Sequence, residues 1–132
     1  MPLETIQVSA LLPATPAKVY AAWLDGALHA AMTGGAATCD NRVGGEHTAW
    51  DGYISGRNLE LVEGRRIVQS WRTTEFGEED GDSRLEIRLE SAQSGSRMVI
   101  VHSDIPQGEG IKYAQGWEEH YIAPMEAYFA KK

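Results

Sequence analysis

The sequence predicts an α+β domain in which a curved antiparallel sheet of about six to seven strands wraps around one long C-terminal helix. Alternating apolar and polar residues, separated by turn signals, fill most of the chain between residues 36 and 104. The run Gln107–Phe129 instead repeats large apolar residues at intervals of three and four, which is helical spacing. A helix of this length needs a large apolar partner, and the upstream strands are the candidate.

The N-terminal part predicts one strand and two short helices. Leu3–Leu12 alternates as a half-buried strand. Thr15-Pro16 provides a capping hydroxyl followed by proline at a first helical position, so a helix is expected over Pro16–Asp25, ending at a left-handed Gly26. A second helix is expected over Ala27–Thr33.

The middle of the chain predicts hairpins. Asp51-Gly52 is a strong signal for a two-residue turn between two of the strands. The acidic stretch Phe76–Ser83 predicts a solvated loop, and the MVIV run after Arg97 predicts a strand buried on both faces. The predicted strands are Ala36–Asp40, Glu46–Trp50, Tyr53–Leu61, Arg66–Thr74, a strand centred on residues 85–89, and Arg97–Ser103.

The C-terminal helix carries a mainly aromatic stripe and a proline. The stripe is formed by Tyr113, Trp117, Tyr121, Met125 and Tyr128, with Ala114 and Phe129 beside it. Pro124 removes the hydrogen bond that would go to His120 and predicts a bend. The bend either lets the helix shift over a cavity and gate it, or is a static kink that fits the curved sheet; the static kink is favoured.

Length, net charge and cysteine content limit the class of protein. At 132 residues, one domain over residues 1–132 is expected. The net charge of -7 disfavours nucleic acid and anionic membranes as partners. Cys39 is the single cysteine, so no internal disulfide can form, and no apolar run reaches the ~20 residues of a membrane span. A cytoplasmic location is the prediction.

The order of these segments resembles a known family. The segments are TPAKVYAAWLD, VGGEHTAWDGYISGRNLELVEGRRIVQSWR, MVIVHSDIP and YAQGWEEHYIAPMEAYF. Together they resemble the activator of heat shock protein 90 ATPase homologues, within the START-like, birch-pollen-allergen-like (SRPBCC) superfamily. The resemblance covers nearly the whole chain and implies a helix-grip fold with a cavity between sheet and helix. It also implies either a small hydrophobic or amphipathic ligand in that cavity, a cyclase-like activity, or a chaperone or other protein as partner.

The candidate ligand-binding residues are mostly aromatic. Packing alone favours Leu and Ile, whereas this stripe has polar tips, which favours a cavity wall over simple core packing. The helix wall is predicted to be Tyr113, Trp117, Tyr121 and Met125; the sheet side Trp50, Trp71 and His102; and the lid Trp23.

Catalysis is left open, and no catalytic residue is assigned. An enzyme of the cyclase or hydrolase kind would use His102 or Glu46 as general base and Tyr121 as hydrogen-bond donor. Cys39 with His47 as its base is the weaker interpretation, because a lone cysteine is usually core. No spacing typical of a metal or cofactor site occurs, so none is expected. The protein is expected to be a monomer or, through an edge strand, a homodimer.

Overall fold

The computed structural model describes residues 3–131 and confirms the α+β helix-grip architecture. In this part of the chain, seven strands form one antiparallel sheet in the order β1-β7-β6-β5-β4-β3-β2. The C-terminal helix packs against the inner face of the sheet, and two short helices follow the first strand. The elements are β1 (Glu4–Leu12), α1 (Pro16–Leu24), α2 (Gly26–Thr33), β2 (Thr38–Cys39), β3 (Glu46–Ala49), β4 (Ile54–Val62), β5 (Arg66–Thr73), β6 (Ser83–Ala92), β7 (Gly95–Ile105), α3 (Gly110–Trp117), a π-helical segment (Glu118–Ile122) and α4 (Ala123–Ala130).

Strand alternation places the core on one face of the sheet. Leu85, Ile87 and Leu89 of β6 are buried, and each lies opposite a buried residue of β7 in the antiparallel register. On the other face of β6, Arg88 and Glu90 are exposed, whereas Glu86 is buried. The prediction that the MVIV run is buried on both faces is wrong for its valines, which are only half-buried because the outer face of the sheet is partly solvated.

The short helices begin and end at capping side chains. Thr15 accepts a hydrogen bond from the Lys18 backbone N–H, as expected. The predicted left-handed end at Gly26 is wrong: Asp25 caps the next helix by accepting from the Leu28 N–H, so Gly26 already belongs to α2. The left-handed residue is Gly34, with φ 94°, after α2.

The β3–β4 turn is longer than predicted. Ala49 pairs with Ile54, so the loop is residues 50–53 rather than Asp51-Gly52 alone. Trp50, Asp51 and Gly52 all have positive φ, at 51°, 61° and 89°. The left-handed region costs about 1–2 kcal/mol for a residue with a side chain, so the surrounding structure must hold Trp50 and Asp51 there.

The C-terminal helix contains a π-helical segment just before Pro124. The Ala123 N–H reaches back to the Glu118 carbonyl, five residues earlier, which is the π pattern. Proline has no N–H to offer His120, so the normal ladder is already broken at this point. The structure shows a local widening of the helix before Pro124, and the bend expected at this proline stays a prediction.

This widening explains why a row of buried side chains at intervals of four stays on one side of the helix. The row is Tyr113, Trp117, Tyr121, Met125 and Phe129. At 3.6 residues per turn each such interval overshoots a turn by about 40°, so four intervals in a straight α-helix would rotate Phe129 about 160° away from Tyr113. A π turn takes up more residues and reduces this drift. Phe129 is therefore buried, whereas Tyr128, which we predicted in the stripe, is half-buried.

Candidate ligand pocket

A pocket of about 480 Å³ lies between the C-terminal helix and the strands β4 and β5. Its volume falls within the range of about 300–1,000 Å³ typical of small-molecule sites. The residues that line it come from the β3–β4 turn, the two strands, α3 and the π-helical segment. They are Trp50, Tyr53, Ile54, Trp71, Lys112, Tyr113, Gln115, Gly116, Trp117, Glu119, His120 and Tyr121.

Aromatic rings form the wall of this pocket. Trp71 on β5 stands edge-on to Tyr113, with ring centroids 5.2 Å apart and an angle of 84°, and lies 5.5 Å from Trp117. Trp117 is in turn 4.8 Å from Tyr121. These spacings are those of interacting aromatic pairs, so the wall is rigid and offers ring faces and edges to an occupant.

The rim is polar. Lys112, Gln115, Glu119 and His120 all have exposed side chains on the helix side. Burial opposes the charge of Lys112, but hydrogen bonds to Glu109 and Glu75 outweigh burial and raise the pKa of the ammonium. The pocket thus joins an apolar wall to a charged edge.

His102 lies behind the wall in a closed hydrogen-bond chain. Trp117 Nε1 donates to His102 Nδ1 at 3.1 Å, which requires the proton of the neutral ring to be on Nε2. His102 Nε2 then donates to Ser83 Oγ at 2.7 Å, and Ser83 donates to the Trp71 carbonyl at 2.9 Å. Burial lowers the pKa of His102 to about 3, so the ring stays neutral and orients Trp117.

Tyr121 is held by a second buried histidine. His29 Nδ1 donates to the Trp23 carbonyl at 2.9 Å, so its Nε2 accepts from the Tyr121 hydroxyl at 2.8 Å. Burial lowers the pKa of His29 to about 4 and raises the pKa of the Tyr121 hydroxyl, so both groups stay neutral. Sequence reasoning gave His29 no role, because a histidine in a short helix carries no signal of its partners.

Trp23 belongs to a neighbouring buried network. Its Nε1 donates to Gln69 Oε1 at 3.3 Å, and Gln69 Nε2 donates to Asn58 Oδ1 at 2.8 Å. Asn58 donates in turn to the carbonyls of Asp40 and Arg42, at 3.0 and 3.1 Å. The network ties α1 to the loop before β3.

The structure brings five of the eight predicted residues to the pocket and leaves three outside it. Trp50, Trp71, Tyr113, Trp117 and Tyr121 line it. The prediction that Trp23, His102 and Met125 line the pocket is wrong. Trp23 is hydrogen-bonded to Gln69, and His102 is hydrogen-bonded to Trp117 and Ser83. Met125 is 0% exposed and lies in the core beyond the π-helical segment.

The sequence analysis did not predict the rim. Lys112, Gln115, Glu119 and His120 lie beside the predicted stripe, and the widened helix turns the last two towards the pocket. Tyr53, expected at the start of a strand, lies instead in the longer turn and lines the pocket.

The predicted catalytic combinations do not converge. His102 is 0% exposed with both ring nitrogens engaged, so it cannot serve as a general base in the pocket. Glu46 is exposed and pairs with Arg57 at 2.9 Å in a separate polar cleft. Cys39 lies opposite His47 in the β2–β3 register, but burial raises the pKa of its thiol, which disfavours the nucleophilic thiolate.

Residues 3–131 contain neither a cluster of metal-ligating side chains nor a membrane-spanning helix. No group of three or more His, Cys, Asp or Glu side chains there could hold a metal ion. None of the helices in the same residues is long and apolar enough to cross a membrane.

A family model decides the classification. The model described as "Activator of Hsp90 ATPase homolog 1-like protein" matches residues 13–130, which is most of the chain. The chain belongs to this family. The resemblance predicted from the sequence segments is therefore confirmed.

Relatives in the family are distant in sequence and longer. The chain is 26% identical over 112 residues to an uncharacterised protein of Schizosaccharomyces pombe, covering 85% of this chain and 33% of that protein. It is 24% identical over 128 residues to the activator of 90 kDa heat shock protein ATPase homologue of Dictyostelium discoideum, covering 96% of this chain and 33% of that protein. The chain thus spans about a third of the length of these curated relatives.

Solved structures agree on the fold. A Chromobacterium violaceum protein is 29% identical with a TM-score of 0.75, and the match covers 95% of this chain and 96% of that protein's chain. An HSP90 activator from Plasmodium falciparum is 20% identical with a TM-score of 0.83, and the match covers 93% of this chain and 94% of the activator's chain. Ara h 8.0201 is 15% identical with a TM-score of 0.75, covering 98% and 99%. At such identities these last two likenesses concern the fold alone.

Proposed function

We propose that this domain binds a small hydrophobic or amphipathic ligand in the pocket between the sheet and the C-terminal helix. One observation carries the proposal: an aromatic-walled space of about 480 Å³ lies beside a core of closely packed, buried side chains. Aromatic walls with a few polar groups at one edge are typical of small-molecule sites.

The pocket's chemistry favours a flat ligand with a polar end. The edges and faces of Trp71, Tyr113 and Trp117 suit aromatic or fused-ring surfaces. Lys112, Glu119 and His120 at the rim suit a polar or charged substituent that stays near water. The ligand is therefore expected to lie with its apolar body against the sheet and its polar end at the helix.

Gly116 offers a sharp test of the site. It lines the pocket, and a Cβ added there would meet no atom within 4 Å. Gly116→Leu should put a branched apolar side chain into the space the ligand needs. Because leucine also favours helix by about 1 kcal/mol over glycine, the variant should remain folded and at least as stable.

The matched control is Gly81→Leu, in the acidic loop away from the pocket. A Cβ there also meets nothing within 4 Å, and its φ is ordinary. Binding of ligands from an organic extract of the host, followed by native mass spectrometry, should disappear in Gly116→Leu and persist in Gly81→Leu. Equal binding by both variants would place the ligand elsewhere and defeat the proposal.

Protein binding is the second candidate, favoured by the family itself. The matching model is named for activators of a chaperone ATPase, and the Dictyostelium relative carries that name. A pull-down with the host's 90 kDa heat shock protein tests it directly. Retention that is unchanged by Gly116→Leu would support a surface contact separate from the pocket.

Three further expectations stay as predictions from the sequence. They are the cytoplasmic location and the single domain over residues 1–132, together with a monomeric or homodimeric state.

A further inference from the structure

One wall residue of the pocket has a hydrogen-bond donor with nothing to donate to. Among residues 3–131, Trp50 Nε1 is the single buried side-chain nitrogen or oxygen without a hydrogen-bond partner. Buried polar groups are nearly always paired, so a group left unpaired asks for an explanation.

Three other polar groups on the same wall are already occupied. Trp117 Nε1 donates to His102, the Tyr121 hydroxyl donates to His29, and the Tyr113 hydroxyl is paired with Thr73 at 2.9 Å. A ligand cannot use these groups without breaking an internal bond. The Trp50 N–H, in contrast, has no bond to lose.

The backbone holds Trp50 in place at a cost. Trp50 has φ 51°, a conformation that is unusual for a bulky residue. Two hydrogen bonds between Asp51 and Ala36 fix the turn, one from each backbone N–H, at 3.0 and 3.3 Å. Gly35 leaves room for the ring, since a Cβ there would lie 2.5 Å from Trp50 Cε3. Strained, over-determined positions of this kind gather at ligand sites.

An exposed side chain lies against the Trp50 ring. The His120 ring stands edge-on to Trp50, with centroids 5.5 Å apart and an angle of 71°. His120 is exposed and lies in the π-helical segment, so displacing its ring breaks none of the helix's core contacts. An entering ligand can take the place of this ring against Trp50.

We propose that Trp50 Nε1 is the donor that selects the ligand, binding an acceptor oxygen such as a carbonyl or ether on a planar apolar body. This inference rests on the proposed function and gives the ligand class. An acceptor at that point satisfies a donor that the free protein leaves unpaired, so the bond adds affinity without an internal bond being lost. A hydrocarbon of the same shape gains no such bond.

The probes are 9-fluorenone and fluorene, which differ mainly in one carbonyl. Taking a carbonyl out of water disfavours burial, so a purely apolar pocket would prefer fluorene. We expect the wild-type protein to prefer fluorenone by roughly fivefold in Kd, measured by calorimetry or by quenching of tryptophan fluorescence. In Trp50→Phe the preference should vanish or reverse.

Ile54→Val is the control. Ile54 lines the same pocket and has no polar side-chain atom, so the substitution should weaken both probes by similar factors and keep their ratio. An independent readout is the indole N–H NMR signal that is lost in Trp50→Phe. It should move downfield with fluorenone and stay nearly in place with fluorene.

The outcomes separate the two proposals. If both probes bind but Trp50→Phe leaves their ratio unchanged, the role of Trp50 is wrong and the binding function stands. If neither probe binds the wild-type protein, the proposed function fails for planar aromatic ligands, and this inference fails with it.

Discussion

Acid should begin to destabilise this protein above the pH range in which carboxylates titrate, because two histidines are folded in a neutral state. His29 and His102 are buried, and burial lowers their pKa values to about 4 and about 3, from an ordinary value of 6.5. The unfolded chain therefore takes up protons first as pH falls. Stability is fully present above pH 6.5 and is lost progressively down to about pH 4 for His29 and about pH 3 for His102.

The magnitude can be worked at one pH. At pH 5 an unfolded histidine gains about 2 kcal/mol from protonation, whereas a folded group with its pKa at 3–4 gains almost nothing. The two histidines together should therefore cost about 4 kcal/mol of unfolding free energy between pH 7.5 and pH 5. The pKa of His47 is also lowered by burial and acts in the same direction.

Urea unfolding at the two pH values measures this loss. His102→Gln removes one of the two groups, so its loss between pH 7.5 and pH 5 should shrink to about half that of the wild type. The variant's own lower stability at pH 7.5 does not affect the test, because only the change in unfolding free energy between the two pH values is compared. A wild-type stability that is unchanged at pH 5, or a variant with the full wild-type loss, would refute the neutral buried histidines.

Three further substitutions test other parts of the structure. Ser83→Ala leaves the Trp71 carbonyl and His102 Nε2 without partners, and should cost about 1–3 kcal/mol in urea unfolding, whereas loss of less than a few tenths would contradict the chain through His102. Gly35→Ala would put a Cβ 2.5 Å from the Trp50 ring. We therefore expect the unfolding free energy to fall by about 1–3 kcal/mol and the near-UV circular dichroism signal to change. A wild-type spectrum would show that the contact is not tight. Glu86 lies among three arginines, and hydrogen bonds to Arg88 and Arg66 lower the pKa of its carboxyl although burial opposes this. Glu86→Gln should therefore lower the unfolding free energy by about 1–3 kcal/mol, and by more at low than at high salt. An equal loss at both salt concentrations would argue for packing instead of charge.

The fold was predictable because its signals are local. Alternation in β6, the Thr15-Pro16 cap and the helical stripe each follow from a few neighbouring residues. The errors came where two local signals compete. Asp25 and Gly26 both mark a helix boundary, and the aspartate's capping bond decided it.

The pocket was predictable only in part, because burial and pocket lining look alike in a sequence. Met125 and Tyr121 share the stripe, yet only Tyr121 lines the space, since Met125 lies one turn further along the helix, in the core. His102 ends an apolar strand, and nothing in its neighbours shows that Ser83 and Trp117 close over it. The left-handed Trp50 is likewise set by distant partners at residues 35 and 36.

Native mass spectrometry of the protein purified from its own host tests the central claim most directly. The account predicts a retained small molecule on the wild-type protein that organic extraction removes, that rebinds on return of the extract, and that is absent from Gly116→Leu. Ligand-free masses for both proteins, even after incubation with the extract, would contradict the claim that the space between helix and sheet is a ligand site.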